Sequence, residues 1–179
     1  MLLLKMAQIP SSGVLDSASE AFSLAGGVFI TVALVLALTV ALYLTGRRPL
    51  AARLAATFAV ASLIEVALKL YLPVPPLPLE YLRSAPEDLI VSLPNPYPSG
   101  HVMRSLFIAG TVALLWPRRP VWIAATIFLV AMAATRIYLG VHWASDVVGG
   151  ILLGFAALAW AFGREEGYKG AGHSKERVR

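Results

Sequence analysis

Between Glu20 and Arg47 the chain runs for 26 consecutive residues without a charge, most of them apolar. A helix of that length covers the roughly 30 Å hydrocarbon core of a bilayer. Within lipid every backbone N–H and C=O must be satisfied inside the protein, so a spanning segment of this kind is helical. The other apolar blocks read the same way, and the spacing predicts spans at about 23–45, 50–72, 101–116, 121–139 and 143–162. Composition agrees. Only 14% of residues are charged and 58% are hydrophobic, whereas a soluble domain is nearer a quarter charged. The expected fold is all-α: a polytopic transmembrane helical bundle of about five spans plus interfacial helices, forming one membrane-embedded domain over residues 1–162. No internal repeat is evident. The absence of cysteine excludes disulfides, thiolate metal sites and a cysteine nucleophile.

Three segments fall outside the spans. Residues 1–22 are too short and too interrupted by Lys5, Pro10 and Gly13 to cross, and read as an interfacial lead-in with a short amphipathic helix over Val14–Phe22. Residues 73–100 form one long outer loop. It starts stiffly with Pro73, Pro75, Pro76 and Pro78 and continues into an expected interfacial helix over Leu79–Leu93. Residues 163–179 form a basic, glycine-containing tail.

Charge sets the expected orientation. The net charge of +5 does not point to nucleic acid, because the basic residues lie in short turns and the tail. Arg47, Arg48 and Arg53, then Arg118 and Arg119, then five residues of the tail hold ten of the fifteen lysines and arginines. With five spans these regions share one side, which the positive-inside rule makes cytoplasmic. The expectation is a multi-pass protein of the plasma (inner) membrane with a cytoplasmic C-terminus.

The chemistry-bearing residues then collect at the opposite, extracytoplasmic face. Lys69 ends the second span, Pro98-Ser99-Gly100-His101 opens the third, Arg136 ends the fourth, and His142 and Asp146 open the fifth. His142 and Asp146 are four apart and share a helix face. The aspartate can accept the Nδ1 proton, which fixes the tautomer and leaves Nε2 for attack or proton transfer. Arg136 offers a planar cationic fork suited to phosphate. Ser99 and Gly100 stand where a helix start presents unpaired N–H groups to an anion, and Ser99 can either cap the helix or bond a phosphate oxygen. Glu65 lies four residues before Lys69, so it can pair with a snorkelling lysine or orient Lys69 in a polar site. A site made from His101, His142 and Asp146 could in principle bind zinc, and the His142/Asp146 spacing is compatible with that. The adjacent Lys69 and Arg136 favour an anion instead, and no metal or other cofactor is expected. His173, in the tail, is given no role.

Taken together, these residues resemble the type 2 phosphatidic acid phosphatase superfamily, the lipid phosphate phosphatases that share a site with vanadium haloperoxidases. That family has a three-part pattern. Its Pro-Ser-Gly-His part is complete at Pro98–His101. Its Ser-Arg, five residues, His, three residues, Asp part reads Thr135-Arg136, Ile137–Val141, His142, Trp143–Ser145, Asp146, with threonine for serine. Its Lys, six residues, Arg-Pro part keeps Lys69 but has Pro76 and Leu77 in place of Arg-Pro. Arg104, one turn beyond His101, and Arg83 in the loop are candidates to replace the missing arginine.

The resemblance implies a metal-independent phosphoric monoester or diphosphate hydrolase. His142 is then the nucleophile that forms a phosphohistidine, Asp146 its orienting partner, and His101 the general acid. Lys69, Ser99, Gly100 and Arg136, with Arg104, hold the phosphoryl oxygens. The partners expected are membrane lipids and a lipid phosphate substrate, and no nucleic acid. Candidate substrates are undecaprenyl diphosphate, phosphatidylglycerophosphate and phosphatidic acid. A phosphotransferase would use the same residues with an alcohol as acceptor. A transporter would instead spread its charged groups through the membrane depth, whereas these collect at one face.

Overall fold

The computed structural model describes residues 2–8, 12–75, 77–83 and 95–163. Pro76, most of the interfacial helix expected over Leu79–Leu93, and the tail beyond Gly163 with His173 lie outside the described residues. The described chain is helical: α1 (Leu2–Ala7), α2 (Gly13–Ser23), a 3-10 turn (Leu24–Gly26), α3 (Val28–Leu44), α4 (Arg48–Tyr71), a second 3-10 turn (Leu79–Tyr81), α5 (Gly100–Leu115), α6 (Arg119–Tyr138) and α7 (Ala144–Phe162). Four stretches are long and apolar enough to cross a membrane: Gly13–Leu44, Arg48–Tyr71, Arg119–Tyr138 and Ala144–Phe162, with α5 as a shorter apolar helix. The polytopic bundle predicted from the sequence is therefore present.

Local chemistry explains the helix ends. Gly46 takes a φ of +83°, a conformation that costs glycine no side-chain clash. It lets Arg47 N–H bond Leu42 C=O at 2.8 Å and Gly46 N–H bond Tyr43 C=O at 3.1 Å, closing α3 with a Schellman motif. Pro49 and Pro120 fall in the first turns of α4 and α6, where a missing N–H costs nothing. The expected first span, from about residue 23, differs in one respect. Gly27 is extended at φ −64° and ψ 156°, so the run bends between α2 and α3.

Helix α5 is the centre of the bundle. At sixteen residues it is about 24 Å long, shorter than the hydrocarbon core. It packs against α3, α4, α6, α7 and the first 3-10 turn, and protein covers most of its surface. Phe107, Met103 and Leu106 form the main core with Leu50, Leu54, Phe58 and Leu158. Large apolar side chains such as Phe29, Leu36, Ile127, Leu152 and Phe155 point outward, as expected of a surface that faces lipid.

The approach of α7 to α5 depends on missing side chains. A Cβ at Gly150 would run into the Ser99 carbonyl, and one at Gly154 would lie 3.0 Å from the Met103 carbonyl. Small residues four apart allow two backbones to approach closely in a membrane bundle. This contact holds the start of α5 beside the start of α7, and so places the two histidine segments together. On the other flank, α2 docks on α6 through Phe22 and Phe128, whose rings meet edge-on at 5.5 Å.

Candidate active site

Four helix ends build the site: the C-terminal ends of α4 and α6 and the N-terminal ends of α5 and α7. The segment before α5 is tied in by its backbone. Ser99 N–H donates to the Asp146 carbonyl at 2.9 Å, and the Asn95 side chain donates to the Lys69 carbonyl at 2.9 Å. On the α7 side, the Trp143 indole N–H donates to the Pro75 carbonyl at 3.1 Å, just ahead of position 76. The three sequence segments of the pattern therefore meet through hydrogen bonds accepted by main-chain carbonyls.

Asp146 is wholly buried in the first turn of α7. Its Oδ2 accepts the Trp143 N–H at 2.8 Å, one of the donors a helix start leaves over. The same oxygen lies 3.4 Å from His142 Nδ1. The contact is close, but it is not aligned as a hydrogen bond, and the buried Nδ1 has no hydrogen-bond partner among the described residues. Asp146 thus serves both the helix start and the histidine.

His142 lies in the short connection between α6 and α7. Its pKa is pushed down to about 4, chiefly because burial disfavours the imidazolium; Asp146 opposes this, and the charges of Arg136 and Lys69 add to it. The two cations named by the sequence are therefore electrostatic neighbours of His142. A histidine in this state is neutral at pH 7 and can act as a nucleophile or base.

Ser99 is the N-cap of α5, but its side chain makes no capping hydrogen bond. The Oγ atom is buried and has no hydrogen-bond partner among the described residues. Of its two sequence-level readings, capping is not used. A buried unsatisfied hydroxyl is costly, and an anion bound at the helix start would satisfy it. Gly100 follows in the first helical position. A Cβ there would collide with the Glu65 carboxylate and come 2.7 Å from Arg104 Nη1.

Glu65 and Arg104 form a buried ion pair at 2.6 Å beneath that glycine. Sequence spacing offered Lys69 as the partner for Glu65 but could not reveal Arg104, which lies on another helix. Arg104 also directs Nε toward the Gly26 carbonyl at 3.4 Å. His101 packs on the same glycine, with its Cβ 3.1 Å from where a Gly26 Cβ would stand. Arg83 pairs with Asp16 at 3.4 Å and lies over the Tyr138 ring. Sequence reasoning did not single out Ser23, whose hydroxyl accepts a hydrogen bond from Arg136, nor Gly26. Neither residue carries a local motif. No group of three or more His, Cys, Asp or Glu side chains converges as a metal-ligand set among the described residues.

Fold and site define a helical membrane protein with two histidines, an aspartate and cationic side chains gathered at one end of its bundle. The chain belongs to the PAP2 superfamily, whose family model matches residues 50–166. A 58-residue stretch is 43% identical to the undecaprenyl-diphosphatase of Sulfolobus acidocaldarius, over 32% of this chain and 28% of that protein. The fold is similar to the crystal structure of a transmembrane PAP2-type phosphatidylglycerolphosphate phosphatase from Bacillus subtilis. That likeness has a TM-score of 0.70 at 21% identity and covers 92% of this chain and 83% of that one.

The electrostatics give a direct expectation. In the unliganded, detergent-purified protein, the NMR signals of 15N-labelled His142 titrate near pH 4 instead of 6.5. Lys69→Ala moves that midpoint upward, because it removes one of the charges that hold it down. An unchanged midpoint would place Lys69 outside the site.

Proposed function

We propose that the protein is an integral-membrane, metal-independent lipid phosphate phosphatase that works through a phosphohistidine on His142. The observation that carries this reading is the setting of His142, with the Asp146 carboxylate at Nδ1 and the charges of Lys69 and Arg136 acting on the ring. This suits a nucleophile that must meet a phosphoryl group, because catalysis of phosphoryl transfer is mostly positioning and charge stabilisation.

In the first step His142 Nε2 attacks the terminal phosphorus in line, and the bond from that phosphorus to the bridging oxygen of the lipid alcohol or lipid monophosphate breaks. His101 gives its proton to that leaving oxygen. Asp146 stabilises the positive charge that develops on the imidazole. In the second step water attacks phosphorus, His101 takes the proton, and the nitrogen–phosphorus bond breaks to release phosphate. Lys69, Arg136, the Ser99 hydroxyl and the first N–H groups of α5 hold the non-bridging oxygens. Arg104 braces the wall behind His101 through Glu65 and Gly26. The covalent step divides one difficult displacement into two.

The substrate class is a phosphomonoester or diphosphate of a membrane lipid. The name of the Sulfolobus relative supports undecaprenyl diphosphate as the first to try, with phosphatidylglycerophosphate and phosphatidic acid beside it. The distribution of basic residues supports a site on the extracytoplasmic face of the plasma membrane and a cytoplasmic C-terminus. A reporter fused after Arg179 is expected to read cytoplasmic, and an extracytoplasmic reading would reverse this orientation.

Phosphate release by the detergent-purified protein, with excess chelator, tests the reaction on a panel of lipid mono- and diphosphates. The wild type is expected to turn over at least one, and His142→Ala to reduce turnover to background. Asp146→Asn keeps an acceptor for the Trp143 N–H, so the start of α7 survives while the rate falls by about a hundredfold or more. Turnover by His142→Ala at the wild-type rate would refute the assignment of the nucleophile.

A further inference from the structure

The family match begins at residue 50, yet three polar side chains well before it converge on the last turn of α6, directly ahead of His142. The Gln8 amide donates to the Tyr138 carbonyl at 2.9 Å and to the Tyr81 carbonyl at 2.8 Å. Asp16 Oδ1 accepts the Tyr138 hydroxyl at 2.6 Å and pairs with Arg83 at 3.4 Å. Ser23 accepts from Arg136 Nη1. Asp16 and Ser23 are seven residues apart on α2, which puts both on one helix face, two turns apart. Three residues beyond Ser23, the Gly26 carbonyl faces Arg104 Nε and its Cα backs onto His101.

We infer that Gln8 and the segment 12–26 act as a positioning strap for the phosphate cradle, and that Ser23 is its working contact. Ser23 is fully buried, as is most of Arg136. A guanidinium on a flexible stem gains catalytic value only when held at a fixed angle. The Ser23 hydroxyl supplies a fixed acceptor that holds the guanidinium in place. Gln8 and Asp16 fasten the strap further along the same turn, and through Tyr81 and Arg83 they attach the outer loop to it. The backbone is close-fitting there too. Gly140, at φ +69°, would drive a Cβ into the Tyr81 carbonyl, so the loop leading to His142 passes directly under the fastened segment. Ser23 is thus a positioning residue that acts through Arg136, and the inference rests on the cradle reading given above.

Inhibition of phosphate release by inorganic phosphate measures oxyanion affinity at this site. It is compared in the full-length wild type, Ser23→Ala, Arg136→Ala and the double variant, with thermal midpoints recorded for each. Ser23→Ala removes one oxygen and introduces no clash, so the fold is expected to survive with a thermal midpoint lowered only by the loss of that one hydrogen bond. Loss of a hydrogen bond to a charged group is expected to weaken phosphate inhibition about tenfold. Arg136→Ala weakens it at least as much, and the double variant is no weaker than Arg136→Ala, because the serine acts only through the arginine. Phosphate inhibition unchanged in Ser23→Ala but weakened in Arg136→Ala would overturn the strap and leave the cradle standing. Full additivity in the double variant would also overturn it. No change in Arg136→Ala would remove the cradle, and the role of Ser23 with it.

Discussion

A charged group inside a membrane bundle has to meet a partner, and the buried Glu65–Arg104 pair is where this protein meets that demand most fully. Removing one member of such a pair leaves an uncompensated charge, typically a loss of about 3–5 kcal/mol. The pair joins α4 to α5 beneath Gly100, and only a residue without a side chain leaves room for it there. The start of α5 is fixed as a result, with Ser99 and His101 at its tip. From there the chain of dependence runs outward. Ser99 bonds the Asp146 backbone, Gly150 lets α7 lie against Ser99, and Asp146 faces His142. Arg104, held by Glu65, reaches the Gly26 turn and so brings in the N-terminal segment.

Much of this was legible in the sequence because it is local. Long uncharged runs gave the helices, and the Gly46-Arg47-Arg48-Pro49 and Pro117-Arg118-Arg119-Pro120 turns gave their ends. His142 and Asp146 lie side by side, but not on the shared helix face that their four-residue spacing suggests, because His142 precedes α7 and Asp146 reaches it from that helix's first turn. The helix expected over Val14–Phe22 is α2. What stayed hidden depends on contacts between distant segments. Four-residue spacing along α4 offers Glu65 only Lys69 as a neighbour and cannot reveal Arg104 on another helix. Ser23 and Gly26 looked like ordinary residues of a span. Their roles arise because the Gly27 bend turns α2 onto α6. Nor did the glycines of α7 stand out until the α5 backbone was beside them.

The pattern departs from its family at position 76, where proline stands for arginine. The proposed cradle therefore relies on Lys69, Arg136 and the helix start of α5, with fewer cations than the full pattern supplies. Firm placement of the remaining arginine matters more in such a site. Gln8, Asp16 and Ser23 lie ahead of the segment that the family model matches. Burial works in the same direction. It keeps His142 neutral, and it strengthens the field that the surrounding cations exert on an incoming phosphoryl group.

The central claim is that His142 carries the phosphoryl group during turnover. The most direct measurement is an alkaline quench within the first turnover, followed by mass spectrometry of the peptides that contain His101 and His142. A transient phosphate on His142 is expected, accumulating further when the second step is slowed. Phosphate on His101 alone, or complete turnover with neither histidine ever modified, would contradict it.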